Sequence, residues 1–150
     1  MKKFIAIFIF LIGGLFVITQ KYYALRVINV IGACSRQQVT YDKAFYNPFT
    51  SSITFNDLVF KDLGSRDYNI RADRVQAFKL HRVEGKIILP VYFIAENTEV
   101  PAVEQTVEKI EVSDIISRRS PDNTISLTAA IKNLSMASEN AVITYQCKLY

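Results

Sequence analysis

Sixteen consecutive residues, Phe4 to Thr19, carry no charge and follow Met1-Lys2-Lys3, the layout of a basic leader ahead of a hydrophobic segment. As a helix this run extends ~24 Å at about 1.5 Å per residue, against a hydrocarbon core ~30 Å thick, so it spans a bilayer once Gln20 to Tyr23 complete the far side. Tyr22 and Tyr23 offer amphipathic rings for the headgroup level, and Lys21 can carry its ammonium outward along its stem. A signal-anchor or transmembrane helix is therefore expected over 1–23. Cleavage would need small residues after the run, and Tyr22-Tyr23-Ala24 puts a bulky ring where an A-x-A site needs a small side chain, so the segment is expected to stay on the chain.

Lys2, Lys3 and the terminal amine precede the segment, whereas Lys21 and Arg26 follow it, which tips the N-terminus toward the cytoplasm. Short alternating strands without long loops suit a bacterial periplasm. The expected location is thus the bacterial inner membrane, single-pass, with the C-terminal domain periplasmic. Ile31-Gly32-Ala33-Cys34 has the form of a bacterial lipobox, in which Cys34 would be lipidated; Arg26 interrupts the apolar run before it, and an ordinary buried thiol is the competing reading.

The formal charge of +4 invites a nucleic-acid reading. Without the first twenty residues, which hold Lys2 and Lys3 and no acid, sixteen basic side chains face fourteen acidic ones, a balance that argues against nucleic acid as a partner. One basic concentration remains, Arg66, Arg71, Arg74, Lys79, His81, Arg82 and Lys86, interleaved with Asp67, Asp73 and Glu84. In a regular strand Arg66 and Arg74 share one face while Arg71 and Lys79 share the other, which dilutes the patch. It reads as a solvated face, with contact to anionic headgroups as the alternative.

After the anchor, residues 24–37 continue as a juxtamembrane helix or linker, because the polar residues Arg26 and Asn29 lie three apart in an apolar stretch. An extracytoplasmic β domain is expected over 38–150. Its strands run from about Gln38 to Tyr46, with Val39, Tyr41 and Phe45 on one parity, then Ser52 to Lys61, Tyr68 to Leu80, Ile87 to Ala95, Thr106 to Ile116, Thr124 to Met136 and Ala141 to Tyr150. Ile53 and Phe55 occupy one parity and Leu58 and Phe60 the other, so a bulge is expected at Asn56-Asp57. Pro90 cannot donate to a ladder, which makes the Ile87 to Ala95 run an edge strand or a bulged one. The strings Ile53 to Leu58, Ile110 to Ile115 and Ala129 to Leu134 share the form apolar-x-apolar-x-Asx-apolar or a close variant, consistent with a bulge or a terminating turn at each Asx. Their offsets, 57 and 19 residues, rule out a solenoid of fixed period. The fold class is mainly β: one membrane helix followed by a curved antiparallel sheet of six to seven strands, a gutter or a small sandwich.

With two cysteines, one histidine and five glycines, the chain lacks the material for a Cys/His zinc site or a Gly-rich phosphate loop. His81 has no nucleophile motif to serve. Asp57 with Asp62, and Glu108 with Glu111, read as solvated carboxylates, because nothing adjacent would desolvate one of a pair. Neither enzymatic activity nor a cofactor is expected. Cys34 and Cys147 are a candidate disulfide in an oxidising compartment, and two separate buried thiols are the alternative. The alternating Ile, Phe, Leu and Val residues suit either a closed core or an apolar concave face that holds acyl chains. On the second reading Ile53, Phe55, Leu58, Phe60 and Ile70 line the groove.

The stretch Tyr46-Asn47-Pro48-Phe49-Thr50-Ser51-Ser52-Ile53-Thr54-Phe55-Asn56-Asp57-Leu58-Val59-Phe60-Lys61-Asp62, followed by Ala72-Asp73-Arg74-Val75, resembles the amino-terminal repeat of the AsmA/TamB-like envelope proteins. The resemblance covers roughly residues 1 to 80. It implies a membrane-anchored, gutter-shaped sheet whose apolar groove handles phospholipid or assists envelope assembly. Members of that family are several times longer, and seven strands at ~4.8 Å spacing stack to only ~30 Å, too short to bridge two membranes unaided. The partners expected are therefore the membrane, phospholipid, and envelope proteins recruited by pairing at a sheet edge. A structural subunit of an envelope or secretion complex is the alternative function, although no pilin-type processing site follows Gly13-Gly14.

Overall fold

The anchor and the segment after it form one helix, α1 (Lys2–Ser35), 34 residues long. The computed structural model describes residues 1–35, 37–61, 69–83, 87–100, 105–122, 124–133 and 140–147. Through Val17 the helix is exposed on all sides. From Gln20 onward it buries a stripe of Tyr23, Ala24, Val27 and Val30, at the three- and four-residue spacing of one helical face. Arg26 and Asn29 lie on the opposite, exposed face.

Among the described residues ten strands follow: β1 (Gln38–Thr40), β2 (Lys43–Asn47), β3 (Ser52–Lys61), β4 (Ile70–Phe78), β5 (His81–Val83), β6 (Ile87–Leu89), β7 (Tyr92–Val100), β8 (Gln105–Arg119), β9 (Ile125–Asn133) and β10 (Asn140–Cys147). The antiparallel main sheet runs β1-β3-β4-β7-β8-β9-β10, with β2 also paired to β3, while β5 and β6 form a separate hairpin. Neighbouring strands of the main sheet are consecutive in the chain except where β2 or the β5–β6 hairpin intervenes, as short connections favour. The sheet curls into a half-barrel, and the second half of α1 lies in it, touching β1, β2, β6 and β10.

The curl has a visible origin in the backbone. Asp57 (φ 52°), Asn97 (φ 49°) and Asp114 (φ 52°) adopt the left-handed conformation, which Asp and Asn tolerate better than other residues with a Cβ. Asp57 falls opposite Asp73, Asp73 opposite Asn97, and Asn97 opposite Glu108, and pairing skips this one row while the register on either side is unchanged. On the other side of β3 the row reaches Asp42, where a single register with β3 is interrupted between β1 and β2.

Along this line the pleat turns over. Inward-facing residues are three apart rather than two on every strand it crosses: Tyr41 and Ala44, Phe55 and Leu58, Ala72 and Val75, Ala95 and Thr98, Val107 and Ile110. A second switch at Asp114 shifts the β8–β9 register between Ser113 and Ile116, a bulge that bends the strand further.

The change of parity expected at Asn56-Asp57 is present, but it is a reversal of the pleat at Asp57 with the β3–β4 register unchanged rather than a bulge; two of the three repeated Asx positions are left-handed, and the third, Asn133, ends β9. Several expectations are corrected. The run from Gln38 to Tyr46 is two strands, and Phe45 turns outward, 54% exposed, because the row intervenes at Asp42. Pro90 lies in neither an edge strand nor a bulge: it separates β6 from β7, and β7 is a central strand. Arg71 and Arg74 share the exposed convex face instead of opposing each other, since the pleat reverses at Asp73.

Candidate functional site

Two buried clusters fill the concave side. In the larger, Ala24 and Val27 of α1 pack with Ile53, Phe55, Leu58, Ala72, Val75 and Ala77 of β3 and β4. In the smaller, Val30 meets Ile87 and Leu89 of β6 and Ile125 and Leu127 of β9. Between them lies a cavity of about 230 Å³. Its floor takes side chains from successive strands, Phe55, Val75, Phe93, Val112 and Leu127, and its roof is Val30 and Ile31 of α1 with Leu89 and Pro90 beside the β5–β6 hairpin.

All the lining residues are apolar. Among the described residues no acid, base or nucleophile lines the space, and what these residues offer is solvation of hydrocarbon. An engineered cavity of about 150 Å³ with aliphatic walls stays dry and takes up benzene, and this one is larger. Along α1 the cavity residues Val30 and Ile31 lie ~15 Å beyond Gln20, at about 1.5 Å per residue, so the space opens off the segment of helix that has left the exposed apolar run.

The helix is held at the mouth of the gutter by a polar and an aromatic contact. The Gln20 amide donates through Nε2 to Tyr46 O at 2.6 Å and accepts at Oε1 from Tyr46 N–H, so one side chain satisfies both backbone groups of a strand residue. Tyr23 stacks on the Tyr46 ring, centroids 3.9 Å apart and planes 9° from parallel. Gln20 therefore replaces the neighbouring strand that β2 lacks on that side.

Of the proposed groove residues, Phe55 and Phe60 line the cavity. Ile53 and Leu58 are fully buried in the larger cluster. Ile70, half-buried, pairs with Phe60 at the start of β4 and lies outside the cavity. Val30, Ile31, Leu89 and Pro90 were not anticipated; the three- and four-residue spacing of Gln20, Tyr23, Ala24, Val27 and Ile31 is the signal that marks α1 as a roof. The side chains of Cys34 and Cys147, and with them the candidate disulfide, lie outside the described residues.

Charges keep to the convex side. Arg71 Nη2 meets Asp57 Oδ1 at 2.6 Å, and Arg74 reaches Glu96 at 4.0 Å. The hydrogen bond from Arg71 to Asp57, then the carboxylate's charge, hold the guanidinium above its ordinary pKa range. Asn97 Nδ2 donates to Asp73 Oδ2 at 3.2 Å, spanning two strands of the pleat-reversing row. His81 is exposed, its Nδ1 3.3 Å from Lys79 O. Among the described residues no group of three His, Cys, Asp or Glu side chains is placed to hold a metal ion. No family profile, curated protein or solved structure matches the chain.

Proposed function

We propose that this protein is a non-enzymatic, membrane-anchored component of the bacterial cell envelope, with the half-barrel in the periplasm, and that its cavity accepts the end of a phospholipid acyl chain. One observation carries the reading: a cavity whose described walls are purely apolar is roofed by the same helix that, over Lys2–Ala33, is long and apolar enough to span a bilayer. A lipid leaving the membrane beside α1 would exchange one hydrocarbon environment for another, at ~0.8 kcal/mol per methylene kept from water. Kinship with the AsmA/TamB-like proteins belongs to the same proposal and rests on Tyr46 to Asp62 and Ala72 to Val75.

The test is reconstitution of the whole chain into vesicles holding a phosphatidylethanolamine with a photoreactive group at the acyl terminus. Adducts are expected on Phe93, Val112 or Leu127 and should be lost in Ala129→Phe, which fills the cavity from β9 without changing its polarity. Adducts confined to Phe4–Thr19 would refute the proposal.

A second reading, an adaptor that recruits an envelope protein by strand addition, is favoured by β10, which among the described residues hydrogen-bonds to β9 alone within the sheet. It predicts a stable complex that survives Ala129→Phe.

A further inference from the structure

We propose that the β2–β3 turn is a second membrane contact, with Phe49 inserted into the same leaflet interface from which α1 emerges. The turn, Asn47 to Ser51, holds Phe49 at 98% exposure, and Phe45 just before it is 54% exposed. An aromatic ring so displayed gains nothing from the fold, whereas aromatic residues are favoured where apolar rings meet headgroups.

The position of the turn relative to the bilayer follows from the contacts along α1. A Cβ added at Gly32 would lie 3.9 Å from Val39 Cγ2, and Tyr46 is held by Gln20 and Tyr23. The chain from β1 through β2 therefore runs back along the helix toward its apolar half. Phe45 reaches Phe16, centroids 6.4 Å apart, and Phe16 belongs to the uncharged run itself. The turn continues past Tyr46 in this direction, so Phe49 stands at the level of the last turns of the membrane segment.

Neighbouring groups fit the same surface. Leu80 N–H donates to Ser51 O at 2.8 Å, which sets Lys79, exposed and left-handed at φ 52°, beside the turn. Val91 follows at 41% exposure, with its N–H bonded to Phe78 O at 3.0 Å. From Lys43 to Asn56, Arg74 to Val83 and Ile87 to Ala95 there is no Asp or Glu, while Lys43, Lys79 and Arg82 are all exposed. Among the described residues this end of the half-barrel thus combines apolar tips with the exposed cations Lys79 and Arg82, a complement to an anionic leaflet surface.

The inference rests on the anchoring helix and is independent of the cavity. The chain has no tryptophan, so Phe49→Trp supplies a single fluorophore at a fully exposed position, and Thr106→Trp supplies a matching one at the far end of the sheet. Each whole-chain variant is reconstituted into vesicles of phosphatidylglycerol and mid-chain-brominated phosphatidylcholine, with circular dichroism to check the sheet. Blue-shifted emission from Trp at 49, quenched for the most part by the bromolipid and shielded from aqueous iodide, is expected, with the converse at 106. Iodide quenching at 49 would overturn the proposal. Blue-shifted emission that bromolipid leaves untouched would overturn it too, because protein would then cover the ring. Release of the chain by alkaline carbonate would remove its premise along with the anchor.

Discussion

Tyr23 and Tyr46 lie face to face at 3.9 Å, one ring from the helix and one from the strand β2, and the Gln20 amide beside them closes both backbone bonds of Tyr46. The pair marks the level at which α1 stops being a free apolar rod and becomes part of the half-barrel. Everything N-terminal of it is exposed apart from the half-buried Thr19 and Gln20, and the stripe C-terminal of it is core.

Gln20→Leu keeps the bulk of the side chain and removes both bonds, leaving Tyr46 N–H and C=O at a half-buried edge with no partner in the protein. A loss of about 1–3 kcal/mol is expected, read as an earlier denaturant midpoint of the sheet signal in mild detergent. Gln20→Glu should be intermediate at neutral pH, since it still accepts from Tyr46 N–H but sets an oxygen against Tyr46 O.

A chain beginning at Arg36 should fail to fold cooperatively, whereas one beginning at Gln20 should fold. The shorter piece lacks Ala24, Val27 and Val30, which are buried to within 9% of full coverage. Large aliphatic side chains contribute roughly 1.5–3 kcal/mol each when buried, against a total stability of about 5–15 kcal/mol for a typical domain. Dispersed amide resonances from the shorter chain alone would contradict this.

At Asp57 the backbone, not the side-chain charge, sets the cost of substitution. Asp57→Gly accepts φ 52° without strain, while Asp57→Val forces a β-branched residue into the left-handed region, at about 1–2 kcal/mol or more. The valine variant should therefore unfold at lower denaturant than the glycine one, and Arg71→Ala measures the lost ion pair separately. Equal midpoints for glycine and valine would refute the strain account.

Thr98 is 6% exposed on β7, and its hydroxyl has no hydrogen-bond partner among the described residues. Thr98→Val exchanges that hydroxyl for a methyl of similar shape and should raise stability by about 1 kcal/mol, since an unpaired buried hydroxyl costs about 1–3 kcal/mol. A destabilised variant in the same denaturant titration would show that the hydroxyl is satisfied in solution.

Much of the architecture could be read from residues alone. The uncharged run Phe4–Thr19 specifies a helix that seeks hydrocarbon, the period-two stretches specify strands of one antiparallel sheet, and the change of parity between Phe55 and Leu58 marks the kink at Asp57. These are local properties, set by side chains a few positions apart on one segment. Tertiary structure decided what the second half of α1 packs against. Lipid tails and the concave face of a sheet reward the same apolar side chains, so hydropathy does not separate Val27 and Val30 from Phe8 and Leu11; only the curl of the half-barrel does. It also decided that Asp42, Asp57, Asp73, Asn97 and Glu108 form one row, because that alignment exists only once five segments have paired in register. The cavity arises the same way, from strands and a helix far apart in the chain that curve without quite closing on one another.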